Sequence, residues 1–278
     1  KIKASNRLIK RSNQMVTEQN KIIEEKNHEI IDSIKYAKII QEAILPNNSL
    51  KEEMRNCFVY YKPKDIVAGD FYWLEIKNGK TLFAVADCTG HGVPGAMVSV
   101  VCNNALNRSV REYTLVDPGK ILDRTRAIVI QEFEKSEEEV KDGMDIALCA
   151  IEKGDKDNVT IEFSGANNPL WIFRKNGEFE EIRGDRQPIG YFENQKPFTN
   201  SSITLEKGDT IYLFSDGYAD QFGGGKNKKF KSSNLKKKLL SIQSNSLEVQ
   251  KEILEKEFDD WKGDFTQTDD VCLIGLRI

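Results

Sequence analysis

Asp70, Asp87, Asp216 and the pair Asp269–Asp270 are the residues of this chain whose positions point most directly to chemistry. Each stands at the end of a stretch that reads as a β-strand. Phe83, Val85 and Asp87 alternate with Ala84 and Ala86, so that strand delivers a carboxylate at its end. Gly90, Gly92 and Gly95 follow at once and give the backbone a tight path around whatever the carboxylate holds. The stretch TIYLFSDG ends in Asp216–Gly217, and the last strand opens with Asp269–Asp270. Taken singly, an Asp before Gly at a strand end is ordinary turn chemistry. If these strands assemble in one sandwich, however, their ends converge, and carboxylates so gathered need a cation to offset their repulsion. The chain has only two His, so an all-oxygen site for Mg²⁺ or Mn²⁺ fits better than zinc or a His-activated nucleophile.

The elements that must position these residues follow in order. CFVYYKP, from about residue 56, is aromatic and β-branched. Strands over 70–76 and 81–87 flank the turn Lys77–Asn78–Gly79–Lys80. Helices are expected over about 93–112 and 118–135, the second with Asp117 as N-cap and Pro118 at its start. Short strands come next: DIALCAIE, VTIEFSGAN, LWIFRKNG, EEIR, SITLEKGD and TIYLFSDG, with a hairpin at Lys175–Asn176–Gly177–Glu178. Gly223–Gly224–Gly225 reads as a hinge before seven lysines between Lys226 and Lys238, a solvated face that could also meet an acidic partner. Helices over about 232–243 and 246–261 precede the final strand, DDVCLIGLRI. Many antiparallel strands with two pairs of helices predict an α+β fold, two sheets packed face to face with helices outside.

Residues 1–45 have a different character. Ile2, Ile9, Val16, Ile23, Ile30, Ala37 and Ile44 are seven apart, and Asn6, Asn13, Asn20, Asn27, Ile34 and Gln41 follow them by four. Apolar d positions with Asn at a describe a parallel two-stranded coiled coil, weak and fixed in register, and hence a homodimer. Pro46 and the loop Asn47–Asn48–Ser49 end it. The division expected is 1–45 as coil and linker helix, and 46–278 as one compact domain.

Composition narrows the function. Of 278 residues, 31% are charged and 39% hydrophobic, and the net charge is −3, which gives no general pull toward nucleic acid. Five cysteines show no CxxC pair and read as reduced thiols of a cytoplasmic protein. No apolar run approaches the ~18 residues of a membrane span. The chain starts at Lys1, and the expectation is that it is part of a longer protein, the cytoplasmic portion of a sensor whose signal-receiving domain lies upstream.

Six segments in order, VAGDFYW, ADCTGHGVPGAMVS, SGANNPLW, QPIGY, KGDTIYLFSDG and QTDDVCLI, resemble the PPM/PP2C-type serine/threonine phosphatases, in the branch of the stage II sporulation protein E and RsbU-type enzymes. The resemblance covers roughly residues 46–278 and implies an α-β-β-α four-layer sandwich. It also implies roles. Asp87 would bridge two divalent ions, and the carbonyl of Cys88 would bind one of them. Asp216 and Asp269 would hold the other, Asp269 being the first of its pair as in the family. Asp70 would bind the second ion directly or through water. Cys88 stands where relatives have Gly or Val, and Thr89 stands where eukaryotic relatives carry a His general acid. His91 shapes the turn or takes part in catalysis, and Lys62 and Lys64 are candidates for the phosphate. Asp142 and Asp145 are candidates for a third ion. The chemistry implied is hydrolysis by a water whose pKa two ions lower, with no phosphoenzyme.

The expected activity is that of a metal-dependent protein serine/threonine phosphatase using Mn²⁺ or Mg²⁺. The branch acts on a phosphoserine of an anti-sigma-factor antagonist of the STAS fold, and the coil would regulate it. Two rivals remain: a pseudophosphatase that binds a partner without turnover, and a dimerisation scaffold.

Overall fold

The computed structural model describes residues 2–46, 56–134, 141–152, 158–225 and 227–278. The loop expected at Asn47–Asn48–Ser49 lies outside them, as does Lys226 of the lysine run.

The first helix, α1 (Ile2–Ile44), is unbroken. Every side chain from residue 10 to residue 33 is exposed, Val16, Ile23 and Ile30 among them. From residue 34 the same heptad stripe, Ile34, Ala37, Gln41 and Ile44, is covered to differing degrees, with Gln41 fully buried. One stripe therefore has two environments: solvent along most of the helix, and the folded body over its last three turns.

Two five-stranded antiparallel sheets make the body. One runs in the order β1 (Cys57–Lys62), β12 (Val271–Arg277), β9 (Thr210–Phe214), β6 (Leu170–Phe173) and β7 (Phe179–Ile182). The other runs β2 (Phe71–Lys77), β3 (Lys80–Cys88), β4 (Met144–Glu152), β5 (Asn158–Ala166) and β8 (Ser201–Glu206). Period-two alternation assigns each strand residue to a layer. Phe83, Val85, Ala147 and Cys149 meet Ile211, Leu213, Cys272 and Ile274 between the sheets. The opposite face of β2 and β3 (Phe71, Trp73, Leu82, Ala84, Ala86) packs on α2 (Gly92–Arg111) and α3 (Pro118–Phe133) through Cys102, Leu106, Ile121 and Val129. Tyr212, Phe214 and Leu273 face α5 (Ser232–Ser241) and α6 (Leu247–Lys262) through Leu235, Leu239, Leu254 and Phe258. The result is the α-β-β-α sandwich, with α1 ahead of it. Asp117 caps α3, accepting from the Lys120 N–H at 2.9 Å.

Two local readings change. TIYLFSDG does not stay a strand to its end: β9 stops at Phe214 and a single turn, α4 (Gly217–Asp220), begins after Asp216. The glycines at 223–225 do not form a hinge. Gly223 belongs to a two-residue hairpin strand, β10 (Phe222–Gly223), paired with β11 (Lys228–Lys229). The Gly224 N–H donates to the Trp261 carbonyl at 2.8 Å, and a Cβ on Gly223 would stand 1.9 Å from that same oxygen. These glycines permit a close backbone crossing.

The five cysteines form no disulfide; Cys57 is half-buried and the other four are buried. Among the described residues, no helix is long and apolar enough to cross a membrane.

Candidate metal centre

The strand register builds one wall of a cleft. Asp87 pairs directly with Asp145 across β3 and β4. Phe71 pairs with Ala86, so Asp70, one residue earlier, arrives opposite Asp87. All three carboxylates share the parity of the inter-sheet residues Tyr72, Val85 and Ala147, and therefore emerge at the open end of the gap between the sheets. The other wall comes from the ends of β9 and β12. Asp216 follows β9 and Asp269 precedes β12; both line the cleft with Asp87, Cys88, Thr89, Lys141, Asp145, Pro188 and Gly190. Asp70 lies behind them, 3% exposed.

Asp269 and Asp270 have different surroundings. Asp270 is buried, and it accepts from the Lys64 N–H through Oδ1 and from the Gly69 N–H through Oδ2, both at 2.7 Å. Its charge is spent holding the loop that leads into Asp70. Asp269 faces the cleft.

The glycine elbow after Asp87 holds its shape by contact. Gly90 and Gly92 take positive φ values of 83° and 62°. A Cβ on either Gly69 or Gly95 would stand 2.2 Å from the Gly90 carbonyl oxygen, so loop, elbow and α2 cross where only hydrogen fits. Thr89 fastens the elbow to the start of β4: its N–H donates to the Gly143 carbonyl at 3.0 Å, and the Gly143 N–H donates back to its hydroxyl at 3.2 Å. His91 precedes α2, with Nδ1 3.1 Å from Asp65 Oδ2 and Nε2 2.9 Å from Lys64 Nζ.

Crowded carboxylates in a dry gap resist ionisation. Burial, and then the charges of Asp216 and Asp269, push the Asp87 carboxyl up to about 8. Burial, and then Asp220 and Asp269, push Asp216 up to about 6. Burial followed by the charge of Asp87 raises Asp70 well above the usual range, and burial raises Asp145 despite a 2.7 Å hydrogen bond from Asn167 Nδ2. Asp70 Oδ2 is buried with no hydrogen-bond partner. Among the described residues no three His, Cys, Asp or Glu side chains close into a cage; the carboxylates instead stand on facing walls. An all-oxygen donor set with an unpartnered buried carboxylate oxygen fits hard divalent cations.

Not every residue singled out in the sequence comes to this cleft. Lys62 bonds Asp259 of α6 at 2.6 Å, and Lys64 stands against His91; neither Lys62, Lys64 nor His91 lines it. Asp145 lines it and Asp142 does not. Three contributors had no role assigned from the sequence: Lys141, and Pro188 with Gly190 from the QPIGY segment. Gln41 is the fourth unexpected participant. It donates through Nε2 to the Ala68 carbonyl at 2.5 Å and to Ser99 Oγ at 3.0 Å, and accepts from the Ala68 N–H at 3.1 Å. Only its polar heptad position marked it.

Comparison with known proteins agrees with this architecture. The family described as stage II sporulation protein E (SpoIIE) matches residues 77–278. The phosphoserine phosphatase RsbU of Bacillus subtilis (strain 168) is 25% identical over 193 residues, covering 69% of this chain; the chain spans 55% of that protein's length. The solved SiaA-PP2C domain of Pseudomonas aeruginosa superposes with a TM-score of 0.82 at 29% identity, over 91% of this chain and 98% of that one. The PP2C phosphatase domain of SpoIIE from Bacillus subtilis, solved with a fragment of its regulatory domain, superposes with a TM-score of 0.63 at 18% identity, over 80% and 62%. With its two sheets, its facing carboxylates and a match over most of its length, this chain belongs to the SpoIIE family of PP2C-type phosphatase domains.

Proposed function

We propose that the chain is a metal-dependent protein serine/threonine phosphatase of a bacterial signalling pathway. The observation that carries this reading is the juxtaposition of Asp70, Asp87 and Asp145 in one row with Asp216 and Asp269 on the facing wall. Two divalent ions, Mn²⁺ or Mg²⁺, would be held by Asp87 between them, by the Cys88 carbonyl for one, by Asp216 and Asp269 for the other, and by Asp70 directly or through water. Of the two residues considered for a third ion, the cleft favours Asp145 over Asp142. When bound, such ions neutralise charge on phosphoryl oxygens and lower the pKa of a water at the same place.

The protein's own part is positioning. Asp270 fixes the loop that presents Asp70, and Thr89 sets the spacing between the ends of β3 and β4 through Gly143. The raised carboxyl of Asp87 gives up its proton when a cation takes its place. Among the described residues lining the cleft, no Cys or Ser stands with a base as a nucleophile, in keeping with direct hydrolysis.

The substrate in this reading is a phosphoprotein, a STAS-type anti-sigma-factor antagonist, met in the cytoplasm; the likeness to the phosphoserine phosphatase RsbU supports phosphoserine as the group removed. The exposed Ile and Asn stripe of α1 supports a parallel homodimer through the N-terminal helix. The test is hydrolysis of p-nitrophenyl phosphate with Mn²⁺, with Mg²⁺ and with EDTA, on the wild type and Asp216→Asn in parallel. Metal-dependent hydrolysis that the substitution abolishes supports the reading. A wild type inert with every ion, alone and after removal of the exposed part of α1, overturns it in favour of a pseudophosphatase.

A further inference from the structure

Among the described residues lining the cleft, Lys141 is the one basic side chain. Five carboxylates, Asp70, Asp87, Asp145, Asp216 and Asp269, stand in or directly behind it. Two divalent cations leave that set one negative charge in excess, and a phosphate monoester arrives with up to two more. Coulomb repulsion at such short range, in a partly dry gap, opposes substrate entry unless a cation stands at the mouth. Lys62, Lys64 and Lys229 do not line the cleft.

We propose that Lys141, seated over Tyr191 at the mouth of the cleft, is a substrate-binding residue that grips the phosphate of the incoming phosphoserine. The assignment rests on the phosphatase reading and adds to it the group that receives the substrate. Lys141 Nζ lies 5.5 Å from the centre of the Tyr191 ring, within cation–π range, and both side chains are exposed. The two residues are fifty positions apart, and the backbone brings them together. The Met144 N–H donates to the Ile189 carbonyl at 3.0 Å, and the Ile189 N–H returns a bond to the Met144 carbonyl at 2.9 Å. Gly143 and Gly190 lie against each other, where a Cβ on Gly143 would stand 2.1 Å from the Ile189 oxygen. Gly143 is also the residue that Thr89 fastens to the elbow. The segment carrying Lys141 is thus tied on one side to the strand end that presents Asp87 and on the other to the loop that presents Tyr191. A long cationic side chain on a rigid base, beside an aromatic face, suits a phosphate that must enter and depart.

The test compares wild type, Lys141→Ala and Lys141→Arg in three measurements: calorimetric titration of Mg²⁺, calorimetric titration of inorganic phosphate into the Mg²⁺-loaded protein, and steady-state hydrolysis of p-nitrophenyl phosphate. Lys141→Ala should weaken phosphate binding and raise KM by tenfold or more, with kcat within threefold and Mg²⁺ affinity unchanged. Lys141→Arg should recover both to within threefold of wild type. Phosphate affinity and KM within twofold of wild type in Lys141→Ala, with wild-type hydrolysis normal, overturn the assignment alone. Tenfold weaker Mg²⁺ binding in Lys141→Ala overturns it in favour of an indirect structural role. A wild type that neither hydrolyses nor binds phosphate with any ion overturns the phosphatase reading and this assignment with it.

Discussion

Gln41, near the end of α1, closes a two-way hydrogen-bonded pair with the backbone of Ala68, donating to its carbonyl at 2.5 Å and accepting from its N–H at 3.1 Å. Ala68 stands two residues before Asp70, and the same amide nitrogen of Gln41 reaches Ser99 on α2. Replacing Gln41 with Ala leaves a buried N–H and a buried carbonyl without partners. The expected cost is about 1–3 kcal/mol, read by urea unfolding. Because the freed loop carries Asp70, the Mg²⁺ concentration for half-maximal hydrolysis should also rise; an unchanged metal requirement would separate the helix from the site.

The paired aspartates should part company on substitution. Asp269→Asn faces the cleft and should weaken divalent-ion binding beyond the roughly 10–100-fold typical of groups outside a ligand shell, with little change in unfolding free energy. Asp270→Asn sets an amide where two backbone N–H groups now donate, and should destabilise the fold by about 1–3 kcal/mol. Calorimetric metal titration and urea unfolding on both variants distinguish the two; matching behaviour would contradict their separate roles.

Stability of the metal-free protein should fall as pH rises. The Asp87 carboxyl sits at about 8 in the fold against 3.8 ordinarily, so between those values the folded chain holds a proton that the unfolded chain has released. Raising the pH through 8 removes that stabilisation, and lowering it toward 4 restores it in full; Asp216, at about 6, adds to the gain below that value. In EDTA the melting temperature should be higher at pH 6 than at pH 8.5, and Asp87→Asn should flatten the difference. Saturating Mg²⁺, which competes with the protons, should raise the melting temperature more at pH 8.5 than at pH 6.

The coil and the docking of α1 should prove separable. A chain that starts at residue 31 loses the exposed Val16, Ile23 and Ile30 and keeps Gln41. It should sediment as a monomer with the melting temperature of the body unchanged. Ile23→Asp in the full chain should give the same result, and a dimer that survives both changes would place the contact elsewhere.

Much of this architecture was legible because strand alternation is a strict rule. Phe83, Val85 and Asp87 announced one face, and the structure puts the first two between the sheets and the third at their rim. The same rule, applied to Asp145, Ala147 and Cys149, favours Asp145 over Asp142, an inference that needed only the strand's start at Met144. Lys141 was illegible because its neighbour Tyr191 is fifty residues away and the contact depends on two glycines meeting across different loops. Gln41 was hidden for another reason. At an a position it looks like the asparagines before it, and no local pattern says where the helix leaves solvent and begins facing its own domain. The glycines at 223 and 224 misled because flexibility and close contact call for the same residue.

The crossing at Gly90 bears on how such a chain can diverge. Its carbonyl oxygen is met by both Gly69 and Gly95, each too close for a methyl group, and a Cβ on Gly95 would also stand 3.1 Å from the Gly69 α-carbon. While that carbonyl stays in place, neither position can acquire a side chain. These three sites form an epistatic block that drifts together or stays put. The loop entering Asp70, the turn leaving Asp87 and the helix behind them are inherited as one piece.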